Sequence, residues 1–130
     1  MRLPAEAFDD DRGLWALCLA QAYALKGDTD NVRTYAEEAR KAFEEQLRAA
    51  PNDAQRHVVF GLALAYLGRK EEAIREGERG VALDPVSKDA IGGTYDQHQL
   101  VRIYILVGEP EKALDQLEPL LKVPYWLSPA

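Results

Sequence analysis

The chain has 130 residues, 47% of them hydrophobic and 29% charged, which suffices for one domain with its own core. Its net charge of −6, from 16 basic and 22 acidic residues and with no long basic run, argues against a nucleic-acid surface or an anionic membrane surface as partner. A single cysteine, Cys18, leaves no internal disulfide to form, so a reducing cytoplasm is the expected location.

The opening, MRLPAEAFDDD, lacks the long apolar core of a signal peptide, and its acidic run reads as a solvated lead-in to a helix rather than a metal site. The first helix is expected near 12–26. Its apolar run at 14–25 is too short to span a bilayer and is interrupted by Gln21. A second helix follows near 29–49, and a third near 53–67 with Asn52 or Asp53 as its cap. The fourth, near 70–83, has an apolar stripe of Ala73, Ile74, Val81 and Leu83. It also holds Gly77 and Gly80, each costing roughly 1 kcal/mol against alanine. The stretch 85–93, ending in Gly92 and Gly93, reads as a loop. The fifth helix is expected near 94–107, opened by a capping box of Thr94 and Gln97. The sixth is expected near 110–122, kinked or broken at Pro119. No segment alternates with period two, so no sheet is expected.

Three stretches share one plan: AYALKGDTDNV at 22–32, LAYLGRKEEAI at 64–74 and IYILVGEPEKAL at 103–114. Each runs from a large apolar residue to a glycine, an acidic segment, and a small apolar residue that opens the next helix. Gly27, Gly68 and Gly108 suit left-handed C-terminal caps, and the acids behind them suit the positive end of the following helix. Each unit is therefore helix, tight turn, helix.

These residues resemble the tetratricopeptide repeat, a helical hairpin with small and large positions at fixed places and a proline closing the unit. The second unit carries Phe60, Gly61, Leu64, Ala73, Gly80 and Pro85 there, with His57 where tryptophan is usual. The first carries Ala16, Leu19, Ala20, Tyr23, Val32 and Ala39, and the third Gln97, Leu100, Val101, Tyr104, Ala113 and Leu120. The resemblance implies an all-α fold: three antiparallel hairpins stacked as a short right-handed α-solenoid. It implies a single domain over 1–130, with repeats at about 13–51, 54–87 and 94–127. Gly80 would sit where the next hairpin packs close, with Gly77 one turn earlier. The glycines are spaced 41 and 40 residues apart against 34 in the family. The first excess falls in the second helix and the second in the loop at 85–93. The last unit, GEPEKALDQLEPLLKVPYWLSP, is also loosely similar to repeat modules that close larger bacterial signalling proteins. Ser128 followed by Pro129 reads as a helix start, so the chain is expected to be a piece of a longer one. Leu117, Leu120 and Leu121 would then be the face left for a neighbour, with Tyr125, Trp126 and Leu127 folding back over it or docking on another copy.

No catalytic constellation is legible. His57 and His98 fall in different hairpins, with no zinc motif and no phosphate loop, and His57 holds a packing position. Cys18 has no basic neighbour in sequence and reads as an inert thiol. No enzyme activity, cofactor or metal is expected. In the resembled family the first helix of each hairpin lines a concave groove. Its places here are Leu14, Leu17, Cys18 and Gln21; Gln55, Val58, Val59 and Leu62; and Tyr95, His98, Gln99 and Arg102. The polar clamp that some members use for acidic C-terminal tails is missing, so such tails are expected to bind weakly. The expectation is a non-catalytic scaffold holding an apolar or amphipathic peptide or helix. The alternative is a structural or oligomerisation module, a homodimer through the C-terminal hairpin and tail.

Overall fold

The computed structural model describes residues 12–83 and 90–120. Among them are six α-helices and no strand: α1 Arg12–Lys26, α2 Thr29–Ala49, α3 Ala54–Tyr66, α4 Lys70–Leu83, α5 Ala90–Leu106 and α6 Pro110–Leu120. Helix α1 packs on α2, α3 on α4 and α5 on α6, giving three hairpins. The hairpins join through α2 on α3 and through α5 on both α3 and α4. Helix α3 is thus the centre of the molecule, with α1 touching it on one side and α5 on the other.

The hairpin turns follow from their glycines. Gly27, Gly68 and Gly108 have φ of 76°, 80° and 82°, a region that penalises a side chain. Each glycine N–H bonds back to the carbonyl three residues earlier, and the next N–H reaches five residues back. Asp28 donates to Tyr23, Arg69 to Leu64 and Glu109 to Tyr104, at 3.0, 3.0 and 2.7 Å. This double bond closes the last helical carbonyls, so all three turns share one geometry. Helix starts are capped as the acids suggest. Asp28 accepts from the Asn31 N–H at 3.2 Å, and Asp53 rather than Asn52 accepts from the Arg56 N–H at 3.1 Å.

The seven extra residues of the first unit lie in α2, 21 residues long against 14 for α4. The added turns carry Phe43 and Leu47 into the core and set the Phe43 ring against Gly13 of α1. Farther along, Tyr35 of α2 stacks on Tyr23 at 5.6 Å and meets Trp15 edge-on at 6.0 Å. Two of the positions shared by the three units are buried in every unit: Ala20, Gly61 and Val101, and Val32, Ala73 and Ala113. At the others burial varies, with Tyr23, Phe60 and Gln97 half-buried.

Two expectations are corrected. Helix α5 begins at Ala90, so Gly92 and Gly93 are helical and Thr94 is not a cap. A glycine weakens a helix by about 1 kcal/mol without forbidding it. Gln97 does not turn back on its own helix start; its Nε2 donates to the Gln116 carbonyl at 3.0 Å and ties α5 to α6. Gly77 and Gly80 exchange roles. Gly77 faces Leu100 and Ile103 of the next hairpin, while Gly80 faces Ala54 and Val58 of its own. The helical turn rotates Gly80 away from α5 and onto α3. Pro119 is the penultimate residue of α6, so the stretch where the expected kink or break would show lies outside the described residues. The acidic run at 9–11, the closing proline Pro85, and the tail with Leu121, Tyr125, Trp126 and Leu127 lie outside the described residues.

Candidate functional site

Counting back from the turn glycines aligns α1, α3 and α5 into rows. Nine residues before each glycine stand Cys18, Val59 and Gln99. Six before stand Gln21, Leu62 and Arg102, and two before stand Leu25, Tyr66 and Leu106. These offsets repeat at helical spacing, so the rows are successive turns of one face.

The expected apolar groove is not an open one. Leu17, Val58, Val59 and Leu62 are core residues, with Leu62 only 1% exposed. Val58 is covered by Gly80 of α4, whose missing side chain lets that helix down onto it. On the α3 face, with the Gln21 amide turned so that its oxygen rather than its nitrogen faces Arg102, that oxygen accepts from Nη1 and Nη2 at 3.2 and 3.0 Å. The amide orientation is assigned from this bonding pattern. Arg102 Nη1 also donates to Gln99 at 3.2 Å. Side chains of α1 and α5 therefore meet across the row that Leu62 holds on α3. Of the other groove residues, Gln99 is buried, Leu14, Gln21, His98 and Arg102 are half-buried, and Gln55 and Tyr95 are exposed. Cys18 is exposed as well.

Arg102 sets the electrostatics of this face. Burial holds the His98 pKa below its ordinary value, and Arg102 lowers it further. Packing around the Cys18 sulfur raises its pKa, with Arg102 acting in the opposite sense. The basic neighbour that Cys18 lacks in sequence is thus supplied across the fold, but desolvation outweighs it, and the thiol is not activated.

One turn farther on, the face becomes apolar. Tyr66, Arg102, Ile105 and Leu106 line a cleft of about 180 Å³. Ile105 is 60% exposed and Leu106 is exposed beside it, and Leu25 of α1 is 92% exposed. This edge lies one turn beyond the expected groove residues Gln21, Leu62 and Arg102. Extending the same stripe from Gln21, Leu62 and Arg102 by four residues finds Leu25, Tyr66 and Leu106. Two larger clefts lie beside α4. One, about 450 Å³, is lined by Arg69, Lys70, Glu71, Glu72 and Arg75; the other, about 410 Å³, adds Glu109 and Lys112. Both mix charges, with Lys70 on Glu109 at 2.5 Å and Arg69 on Glu72 at 2.6 Å, so neither presents a field of one sign.

No protein-family model, curated protein or solved structure matches the chain. The site is therefore read from its own residues. Among the described residues, no group of three or more His, Cys, Asp or Glu is placed to hold a metal ion. Among them too, no helix is long and apolar enough to cross a membrane. His57 is not mere packing. It is buried, with Nδ1 2.7 Å from Glu76 Oε1 and Nε2 2.7 Å from the Pro51 carbonyl. It ties the α2–α3 loop to α4 and stands in the opposite direction from the rows just described.

Proposed function

We propose that the chain is a tetratricopeptide-like interaction module, without catalytic activity, that binds a peptide segment along the face of α1, α3 and α5. The reading takes the three hairpins as a short right-handed solenoid. It is supported by three identical glycine turns and by burial of the same two positions in each unit. The observation that carries the binding role is the apolar edge of Tyr66, Ile105 and Leu106, with Leu25 exposed in the same row. Large aliphatic groups exposed together beside a cleft mark a contact surface rather than scattered surface residues. A protein partner in a reducing cytoplasm fits the single thiol and the acidic balance of the chain.

Selection of peptides from a displayed library on the immobilised protein tests this reading. Selected peptides should lose binding to a variant carrying Ile105→Ser and Leu106→Ser, both exposed positions. Peptides that bind parent and variant alike, or a library that yields none, would overturn it.

The second reading, an oligomerisation module, draws on Leu114 of α6, which is 63% exposed. It requires a dimer in sedimentation that Leu114→Ser dissociates.

A further inference from the structure

We infer that the bound segment is acidic as well as apolar. It is an internal stretch of a partner protein in which an Asp or Glu side chain sits beside a large aliphatic or aromatic one. This rests on the binding reading above and names the chemistry of the partner.

Several arginines of the chain are held by acids. Arg12 meets Glu38 at 2.5 Å, Arg40 meets Glu37 and Glu44, Arg48 meets Glu44 at 3.1 Å, and Arg69 meets Glu72 at 2.6 Å. Among the described residues, the hydrogen-bond partners of Arg102 are instead two neutral amides, Gln21 and Gln99. Those amides fix the guanidinium without neutralising it. They engage Nη1 and Nη2, which leaves the edge formed by Nε and the outer Nη2 hydrogen for a planar acceptor such as a carboxylate. The group is half-buried, so its charge is less screened than that of a fully extended surface arginine.

Arg102 also lines the cleft with Tyr66, Ile105 and Leu106. A side chain seated among those three stands next to the guanidinium, so a carboxylate on the neighbouring residue reaches it. Leu25 of α1 holds the place that Tyr66 holds on α3 and Leu106 on α5, two residues before its turn glycine, and is exposed as well. Helices packed roughly 8–10 Å apart make this face about 16–20 Å wide, the reach of about six extended residues. The face therefore suits a segment that runs across it, with its acidic and apolar residues together at the cleft and its flank toward Leu25. The absence of an acidic-tail clamp at Val58, Val59 and Leu62 has no bearing on this, because those residues are buried.

Three acetylated and amidated octapeptides test the inference. They share Gly and Ser flanks around cores of Leu-Glu-Phe, Leu-Gln-Phe and Ser-Glu-Ser. Binding is followed by amide shift changes in the full chain at up to about 1 mM peptide. Leu-Glu-Phe should move Leu25, Tyr66, Arg102 and Leu106. Leu-Gln-Phe should bind the same face about fivefold more weakly, as expected for a partly exposed charged pair. Ser-Glu-Ser should not bind. In Arg102→Gln protein the difference between Leu-Glu-Phe and Leu-Gln-Phe should vanish. Equal binding of these two to the parent overturns the acidic inference and leaves the module reading standing. If no peptide perturbs this face, or if the face is closed by a dimer in sedimentation, both fall. The peptide comparison needs no protein variant, so it holds even if Arg102→Gln disturbs folding.

Discussion

Gly80 lets α4 lie directly on Val58 of α3. A Cβ at Gly80 would stand 2.5 Å from Val58 Cγ1 and 2.7 Å from the Ala54 carbonyl oxygen. At Gly77 the obstacles are the far ends of Leu100 and Ile103, at 2.9 and 2.8 Å. Side-chain ends can swing aside, whereas a helix carbonyl moves only with its backbone. Gly80→Ala should therefore destabilise by about 1–3 kcal/mol, the usual cost of overpacking. Gly77→Ala should fall within about 1 kcal/mol of the parent, because the gain in helix propensity offsets the repacking. Urea unfolding of both variants decides it. Equal stabilities would mean that the close α3–α4 contact is absent in solution.

Tyr104 is buried in α5, and its hydroxyl donates to Glu78 of α4 at 2.6 Å. Burial first, then the Glu78 carboxylate, pushes its pKa well above the ordinary 10.0. The folded state therefore keeps this proton at a pH where the unfolded chain releases it. The contribution is complete below about pH 10 and declines as pH rises from there toward the folded value. Tyr104→Phe should cost about 1 kcal/mol at neutral pH, Glu78 being exposed. It should also soften the alkaline loss of stability. Melting curves of parent and variant from pH 8 upward should converge; parallel curves would exclude Tyr104 as the alkaline group.

The hairpins were legible because glycine caps and acidic starts are local signals. Gly27, Gly68 and Gly108 each fix a turn from within five residues. The extra length of α2 could likewise be placed by counting from Gly27 to Pro51. What the sequence hid was depth and direction. Val58, Val59 and Leu62 hold the groove places of the repeat, but the helices packed around α3 bury them. Nothing in the spacing says that Gln21 and Arg102 will meet across that helix. The start of α5 was misplaced because Gly92 and Gly93 weigh locally against a helix that the rest of the fold sustains. Leu25, Tyr66 and Leu106 were within reach of the stripe, yet exposure, which makes them a candidate site, is a tertiary property.

His57 separates packing from bonding. Its ring is 6% exposed and lies between Glu76 and the Pro51 carbonyl. His57→Leu keeps the volume and removes both hydrogen bonds. It should destabilise by about 1–3 kcal/mol, the cost of leaving a partly buried oxygen without its imidazole partner. If the leucine variant unfolds at the same urea concentration as the parent, the position needs only bulk.

The proximity of Cys18 and Arg102 is measurable without a ligand. The two residues stand on α1 and α5, with α3 between them. Packing raises the Cys18 pKa above the ordinary 9.0, and Arg102 partly opposes the rise. Since the thiolate is the reacting form, labelling by a disulfide reagent should accelerate with pH and reach its midpoint above 9.0. Arg102→Gln removes the cation but leaves a side chain that still bonds to amides. The midpoint should then move higher, and labelling at pH 8 should slow. Added salt should slow the parent in the same direction and the variant less, because it screens the favourable charge. An unchanged pH profile in the variant would mean that α1 and α5 do not face each other closely enough for Arg102 to act. The roof over Leu62, and with it the site built on Arg102, would then be lost.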